Sequence, residues 1–226
     1  MDISWGITKD THSTEENDIN HNTKRRRVDA GHKKKVYELD DESMIYTVGT
    51  QVHFTAQINN DTVEALIKEI TKVVENNAPK YGSKDAQKKV NITYIVDSPG
   101  GSVTAVLKFV DFISMVREKH PHIEFTSIIT GMAASAGTTM CVIADHRCMT
   151  RNAFAMIHEL STGSQGKYTQ LVSYIEFTKT MHKKLVDIYM RVFDGTKERL
   201  EDLLKTESWF DAEGYQALGL VTEIKG

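Results

Sequence analysis

Segments patterned as strands alternate with segments patterned as helices along most of this chain. That alternation restricts the fold more than any other feature. VHFTAQI (52–58) interleaves β-branched and aromatic residues with polar ones, as a half-buried strand does. TVEALIKEITKVVENN (62–77) then sets Val63, Leu66, Ile67, Ile70, Val73 and Val74 at helical spacing, with Asn59, Asn60 and Asp61 supplying a turn and a cap. A polar loop, NAPKYGSKDAQKK (77–89), follows. NITYIVD (91–97) and IEFTSII (123–129) read as strands, and the amphipathic VTAVLKFVDFISMVREK (103–119) lies between them. FAMIH (154–158) is another short strand. A long helix is expected from about Tyr168 to Phe193, with Leu171, Ile175, Thr178, Leu185, Ile188 and Val192 on one side. Such an order predicts βαβ units with right-handed crossovers, and so an α/β fold with a largely parallel sheet.

The first 35 residues break this pattern. They are polar, with basic clusters KRRR (24–27) and HKKK (32–35), and offer too little apolar surface to repay their ordering entropy. The expected organisation is a disordered basic tail or propeptide over 1–35 and one globular domain over 36–226. A net charge of −3 argues against a general attraction to nucleic acid or membrane. No apolar run approaches the roughly 20 residues of a membrane helix. MDISWGITKD lacks the apolar core of a signal peptide, and two cysteines, Cys141 and Cys148, are too few for a disulfide framework. The expected setting is therefore a reducing cytoplasm. Neither HExxH spacing nor a Walker-type loop is present, so neither a metal nor a nucleotide cofactor is expected.

In open α/β sheets, ligands bind beyond the carboxyl ends of the strands. Three features fall there: the turn SPGGS (98–102), the small-residue run GMAASAG (131–137) and His158. Crowding Gly131, Ala133, Ala134, Ala136 and Gly137 around Ser135 serves either close helix–strand packing or the approach of a substrate to a hydroxyl. A serine hydroxyl is a weak nucleophile at neutral pH and needs an imidazole to take its proton. His158, at an equivalent strand end, would supply one.

These segments resemble the Clp protease proteolytic subunit family, ClpP, and in particular its phage-type members. The resemblance spans about Val52 to Ile224 and is carried by DSPGGSVTA (97–105), GMAASAG (131–137), MIH (156–158) and ESWFDAEGYQALGLV (207–221). It implies a crotonase-like fold and a serine endopeptidase working with an ATP-driven unfoldase on unfolded polypeptides. Ser135 takes the position of the nucleophile and His158 that of the general base; the backbone N–H groups of Gly101 and Ala136 take those of the oxyanion donors. It also implies a homo-oligomeric ring, heptameric and single or double, with no metal, nucleic-acid or membrane partner. Alignment on Ala212 and on Gly219–Leu220–Val221 puts Glu207 at the third triad position, with Ser208 and Asp211 as rivals by register. Glu159–Leu160 replaces the family's usual Gln-Pro after the histidine, which leaves double-ring packing open. Two other readings stand beside this one. ITGMAASAGTTMCVIADHRCMTRNAFA also resembles crotonase-type acyl-CoA enzymes, and an inactive ring subunit would need no acid.

Overall fold

The structure, a computed structural model, describes residues 44–77 and 89–226. The expected tail over 1–35 and most of the loop over 77–89 lie outside the described residues. In chain order the elements are β1 (Ile45–Val48), β2 (Gln51–Phe54), α1 (Asn60–Asn77), β3 (Val90–Ser98), α2 (Val103–Lys119), β4 (Ile123–Ala134) and α3 (Ala136–Val142). Then come β5 (His146–Thr150), β6 (Phe154–Ile157), α4 (Tyr168–Tyr189), α5 (Lys197–Lys205), β7 (Ser208–Phe210), α6 (Ala212–Ala217) and β8 (Glu223–Lys225). The sheet runs β1-β2-β3-β4-β5-β8, with β6 paired to β4 and β7 paired to β6. Among the described residues, only the β1–β2 and β6–β7 pairs are antiparallel. The α/β architecture with a largely parallel sheet is thus as the alternation requires.

Local chemistry fixes the elements that lead to the site. Val52 and Phe54 of β2 are fully buried while Gln51 faces out. α1 starts from a reciprocal cap: Thr62 N–H donates to Asn59 Oδ1 at 2.8 Å, and Asn59 N–H to Thr62 Oγ1 at 3.0 Å. Its buried stripe of Val63, Leu66, Ile70, Val73 and Val74 packs on the sheet. In β3, Ile92, Tyr94 and Val96 are buried, as are Phe125 and Ile129 of β4 beside it. The aromatic ring of Tyr94 meets Phe109 of α2 edge-on at 5.6 Å between centroids.

β4 carries the chain to the site, and it is longer than IEFTSII predicts. Its register with β3 runs unbroken from Val90↔Ile123 to Val96↔Ile129, then resumes at Ser98↔Ala133. The extra residues on β4 form a bulge at Gly131, whose φ is +58°. The carboxylate of Asp97 fills the bulge and accepts from Met132 N–H at 3.1 Å, and a Cβ on Gly131 would lie 2.8 Å from Asp97 Oδ2. Across this bend β4 changes neighbour. Thr126–Ile129 pair with β5, whereas Met132–Ala134 pair with β6. The fork delivers Ser135 and the end of β6 to one place.

The long helix is shorter than its pattern suggests, ending at Tyr189 rather than near Phe193. Met181, Leu185, Val186, Ile188 and Tyr189 are buried, but Ile175 is 51% exposed and Val172 41%. The apolar side expected along the whole helix therefore faces the core only in its C-terminal half.

Candidate functional site

Ser135 sits between the end of β4 and the start of α3, in a tight strand-to-helix turn. Its φ of 59° and ψ of −122° are far from ordinary regions for a residue with a Cβ. The turn is held from several sides. Ser135 N–H donates to the Met156 carbonyl at 2.7 Å, and the Ser135 carbonyl accepts from Thr138 N–H at 3.0 Å. Small neighbours make the approach possible, since Ala133, Ala134 and Ala136 are all buried against the sheet.

Next to the serine stands His158, one residue beyond β6. Its Nε2 lies 2.8 Å from Ser135 Oγ, within hydrogen-bond distance. Burial pushes the His158 imidazole below the ordinary histidine value, while the carboxylates of Glu207 and Glu159 pull it the other way. A histidine in that environment is neutral at neutral pH and has an Nε2 able to accept from the serine.

The SPGGS turn closes the site from β3. Ser98 Oγ donates to Ala56 O at 2.7 Å, and Gly100 N–H donates back to Ser98 Oγ at 3.2 Å. A parallel bridge joins Gly101 to Ile58: Ile58 N–H donates to Gly100 O at 2.8 Å and Ser102 N–H to Ile58 O at 2.7 Å. The Gly101 N–H takes part in neither of these two bonds. Ala136 N–H is the first of α3 and has no acceptor within its own helix. Both glycines are sterically required. A Cβ on Gly100 would lie 2.8 Å from Ser135 Cβ, and one on Gly101 would lie 2.1 Å from Ile58 O. Their φ values, 92° and 146°, are also closed to most side chains. Gly101→Ala is accordingly expected to lower the thermal unfolding midpoint by several degrees, given about 2–4 °C per kcal/mol for a domain of this size. Circular dichroism against the parent would read it, and an unchanged midpoint would mean that the turn relaxes freely.

The three candidates for an acid are spread along β7 and its flanks. The antiparallel register pairs Ala155 with Phe210, Met156 with Trp209 and Ile157 with Ser208. Continued by one pair, it sets Glu207 opposite His158, and the Glu207 charge is the larger of the two carboxylate influences on that imidazole. Ser208 Oγ donates to Leu203 O at 2.9 Å. Asp211 caps α6, its Oδ1 accepting from Gly214 N–H at 2.8 Å. Among the described residues, Ser135 and Glu207 (φ 49°) are the two non-glycine residues with positive φ. Strain of this kind, about 1–3 kcal/mol per residue, collects where function holds a side chain in place.

Immediately after His158 the chain lines a cleft of about 560 Å³ with Glu159, Leu160, Tyr174, Ile175 and His182 among its walls. No three His, Cys, Asp or Glu side chains among the described residues gather as a metal site. Also among those residues, no helix is long and apolar enough to cross a membrane. Three contributors escape a reading of the sequence. Gly100 leaves room for Ser135 that a Cβ would fill, Asp97 pins the bulge, and the hydroxyls of Thr138 and Tyr189 meet behind the serine at 2.6 Å. Glycine pairs and a bulge can be suspected from SPGGS and from the small-residue run, but nothing local signals a tyrosine more than fifty residues downstream.

Residues 45–226 match the family model described as Clp protease. The ATP-dependent Clp protease proteolytic subunit 1 of Chlamydia abortus is 29% identical over 137 residues, which are 59% of this chain and 69% of that protein. The subunit of the same name from Chlamydia trachomatis is 28% identical over 137 residues, with the same coverage of each chain.

Proposed function

Because the chain belongs to the Clp protease family, we propose that it is a serine endopeptidase with Ser135 as nucleophile, His158 as general base and Glu207 as the carboxylate behind the base. The observation that carries this reading is the 2.8 Å approach of His158 Nε2 to Ser135 Oγ at the strained turn. Ser135 Oγ attacks the scissile carbonyl as His158 Nε2 takes its proton. The developing oxyanion is received by the N–H groups of Gly101 and Ala136, each such donor being worth about 2.7–4 kcal/mol. His158 then returns the proton to the leaving amine, and a water hydrolyses the acyl-Ser135 ester by the same steps in reverse order. Glu207 keeps the Nδ1 proton of His158 in place and stabilises the imidazolium.

Extended polypeptide would lie in the cleft beyond His158. A homo-oligomeric ring in the cytoplasm, fed with unfolded chains by an ATP-driven partner, completes the reading. The exposed Tyr168, Val172, Ile175 and Phe177 of α4 support assembly, since apolar side chains grouped on one helix are more often covered than left in water.

A fluorophosphonate should form a stoichiometric adduct on Ser135, located by peptide mass spectrometry, while an enoyl-CoA should show no hydration. Labelling elsewhere, or none, would overturn the reading. The same reaction gives a pH test. Protonated His158 cannot act as base, and its burial places that titration below 6.5. The labelling rate should therefore rise with pH to a plateau, with its midpoint on the acid side of the ordinary histidine value. A midpoint above it would mean that the carboxylates, and not burial, dominate.

A further inference from the structure

We infer that Thr138 and Tyr189 are positioning residues for the Ser135–Ala136 peptide group, fixing the direction in which the Ala136 N–H points. The inference rests on the hydrolase reading above and extends it to two side chains that touch no substrate.

Four polar groups converge behind Ser135. Thr138 Oγ1 donates to the Ser135 carbonyl at 2.5 Å and lies 2.6 Å from the Tyr189 hydroxyl. Thr139 Oγ1 lies 3.1 Å from that same hydroxyl. All of them are buried. A carbonyl oxygen can only accept, which sets the direction of the entire chain. With the Thr138 proton committed to Ser135 O, the Tyr189 hydroxyl must donate to Thr138 Oγ1, and Thr139 must donate to Tyr189. Burial pushes the Tyr189 phenol up to about 12, so at neutral pH it keeps the proton that this arrangement needs. Tyr215 has its hydroxyl buried beside the same groups, within reach of Thr138 and within electrostatic reach of Tyr189, but outside strict hydrogen-bond geometry with any described residue.

The chemistry lies at the other end of the peptide. In a planar trans peptide the C=O and N–H point in opposite directions. Holding the Ser135 carbonyl toward the core therefore aims the Ala136 N–H outward, at the place where the oxyanion forms. A hydrogen bond to the carbonyl also polarises the N–H of the same group, making it a better donor. The peptide would otherwise be free to rock, because it follows a residue at φ 59° and is gripped by only two backbone donors, Thr138 N–H at 3.0 Å and Thr139 N–H at 3.3 Å. Tyr189 anchors the arrangement from α4, whose C-terminal half is packed in the core.

The test is the rate of Ser135 phosphonylation by a fluorophosphonate, with kcat and KM on a fluorogenic peptide, for the full-length wild type, Thr138→Val, Thr138→Ser and Tyr189→Phe. Thr138→Val keeps the shape and removes the hydroxyl. It should slow labelling and kcat about tenfold, the upper range for one hydrogen bond, with KM and the pH midpoint unchanged. Thr138→Ser should recover most of the rate. Tyr189→Phe should lose a few-fold in the same sense, and adding it to Thr138→Val should cost little more. Should Thr138→Val fail to fold, Tyr189→Phe read against Thr138→Ser carries the comparison alone. Labelling of Thr138→Val or Tyr189→Phe at the wild-type rate overturns the inference, as does a Thr138→Ser enzyme as slow as Thr138→Val. An unlabelled wild type would instead sink the hydrolase reading itself, so the two failures are distinguishable.

Discussion

Ser135→Ala is expected to lower kcat for peptide hydrolysis by about 10⁶-fold, the loss found when the serine of a triad is removed. Only the hydroxyl goes. The alanine keeps the Cβ that packs against Gly100, and the Ser135 N–H bond to Met156 O and the carbonyl bonds to α3 are backbone or belong to Thr138. The turn should hold, and the unfolding midpoint should stay the same or rise slightly, because Ser135 is 2% exposed and the partner its hydroxyl gives up is the partly buried imidazole of His158. Labelling by a fluorophosphonate should vanish together with hydrolysis. Residual labelling in this variant would point to Ser98 or Ser102. Ser98 is the weaker suspect, since its proton is already donated to Ala56 O. Ser102 caps α2 by accepting from Ala105 N–H and shares a hydrogen bond with Thr104 Oγ1 at 3.1 Å.

Glu207→Gln carries the second largest expected effect, a loss of about 10⁴-fold in kcat, the size seen when a triad carboxylate becomes its amide. The glutamine keeps length and shape but contributes no charge to the imidazolium. It also lets the amide present a donor to His158, which would stabilise the wrong tautomer. The two neighbours behave differently for reasons visible in the structure. Asp211→Asn preserves the cap on α6, since asparagine serves as well at that position, and should change activity less than twofold. Ser208→Ala removes the hydrogen bond to Leu203 O near the end of α5 and the one shared with Thr206 Oγ1, each worth about 1 kcal/mol of stability, and should cost activity less than tenfold. Should Glu207→Gln be nearly silent and Ser208→Ala severe, the acid has been assigned to the wrong residue. If all three are mild, His158 works without a carboxylate behind it.

The serine and histidine were legible in the sequence because each belongs to a short continuous segment whose neighbours have to be small or strand-forming. The acid was not. Its place depends on β7 pairing antiparallel with β6, a contact between residues about fifty positions apart, and on how α5 fills the segment before it. Alignment favours Glu207 but leaves Ser208 and Asp211 as rivals by register; the ladder, continued by one pair, sets Glu207 opposite His158. The α/β class followed from alternation, but β1, β5, β7, β8 and the far end of β4 did not. HRCMT of β5 is short and mostly polar, and the TGMAA end of β4 is made of residues with weak strand preference. They are held there by neighbours, with the bulge at Gly131 taking up the misfit. The pairing of Thr138 with Tyr189 was equally hidden, since a tyrosine in an amphipathic helix reads as core whatever its hydroxyl does.

The fork in β4 also bears on how a protein like this can diversify. Ser135, His158 and Glu207 leave the ends of β4, β6 and β7, three strands tied directly to one another, so their spacing is set by ladders of backbone hydrogen bonds that do not depend on which side chains surround them. After Glu159, whose N–H donates to Leu204 O at 2.8 Å, the segment up to α4 is part of no strand pair among the described residues. It leaves the sheet at Glu159, lines the cleft and returns through α4. Substitutions or changes of length between Leu160 and Gly166, beyond the Glu159 carboxylate that acts on His158, can reshape the cleft while the distance between hydroxyl and imidazole stays as the strands dictate. On the proposed reading, a library confined to that loop is where altered cleavage specificity should be sought, with the serine and histidine left in place.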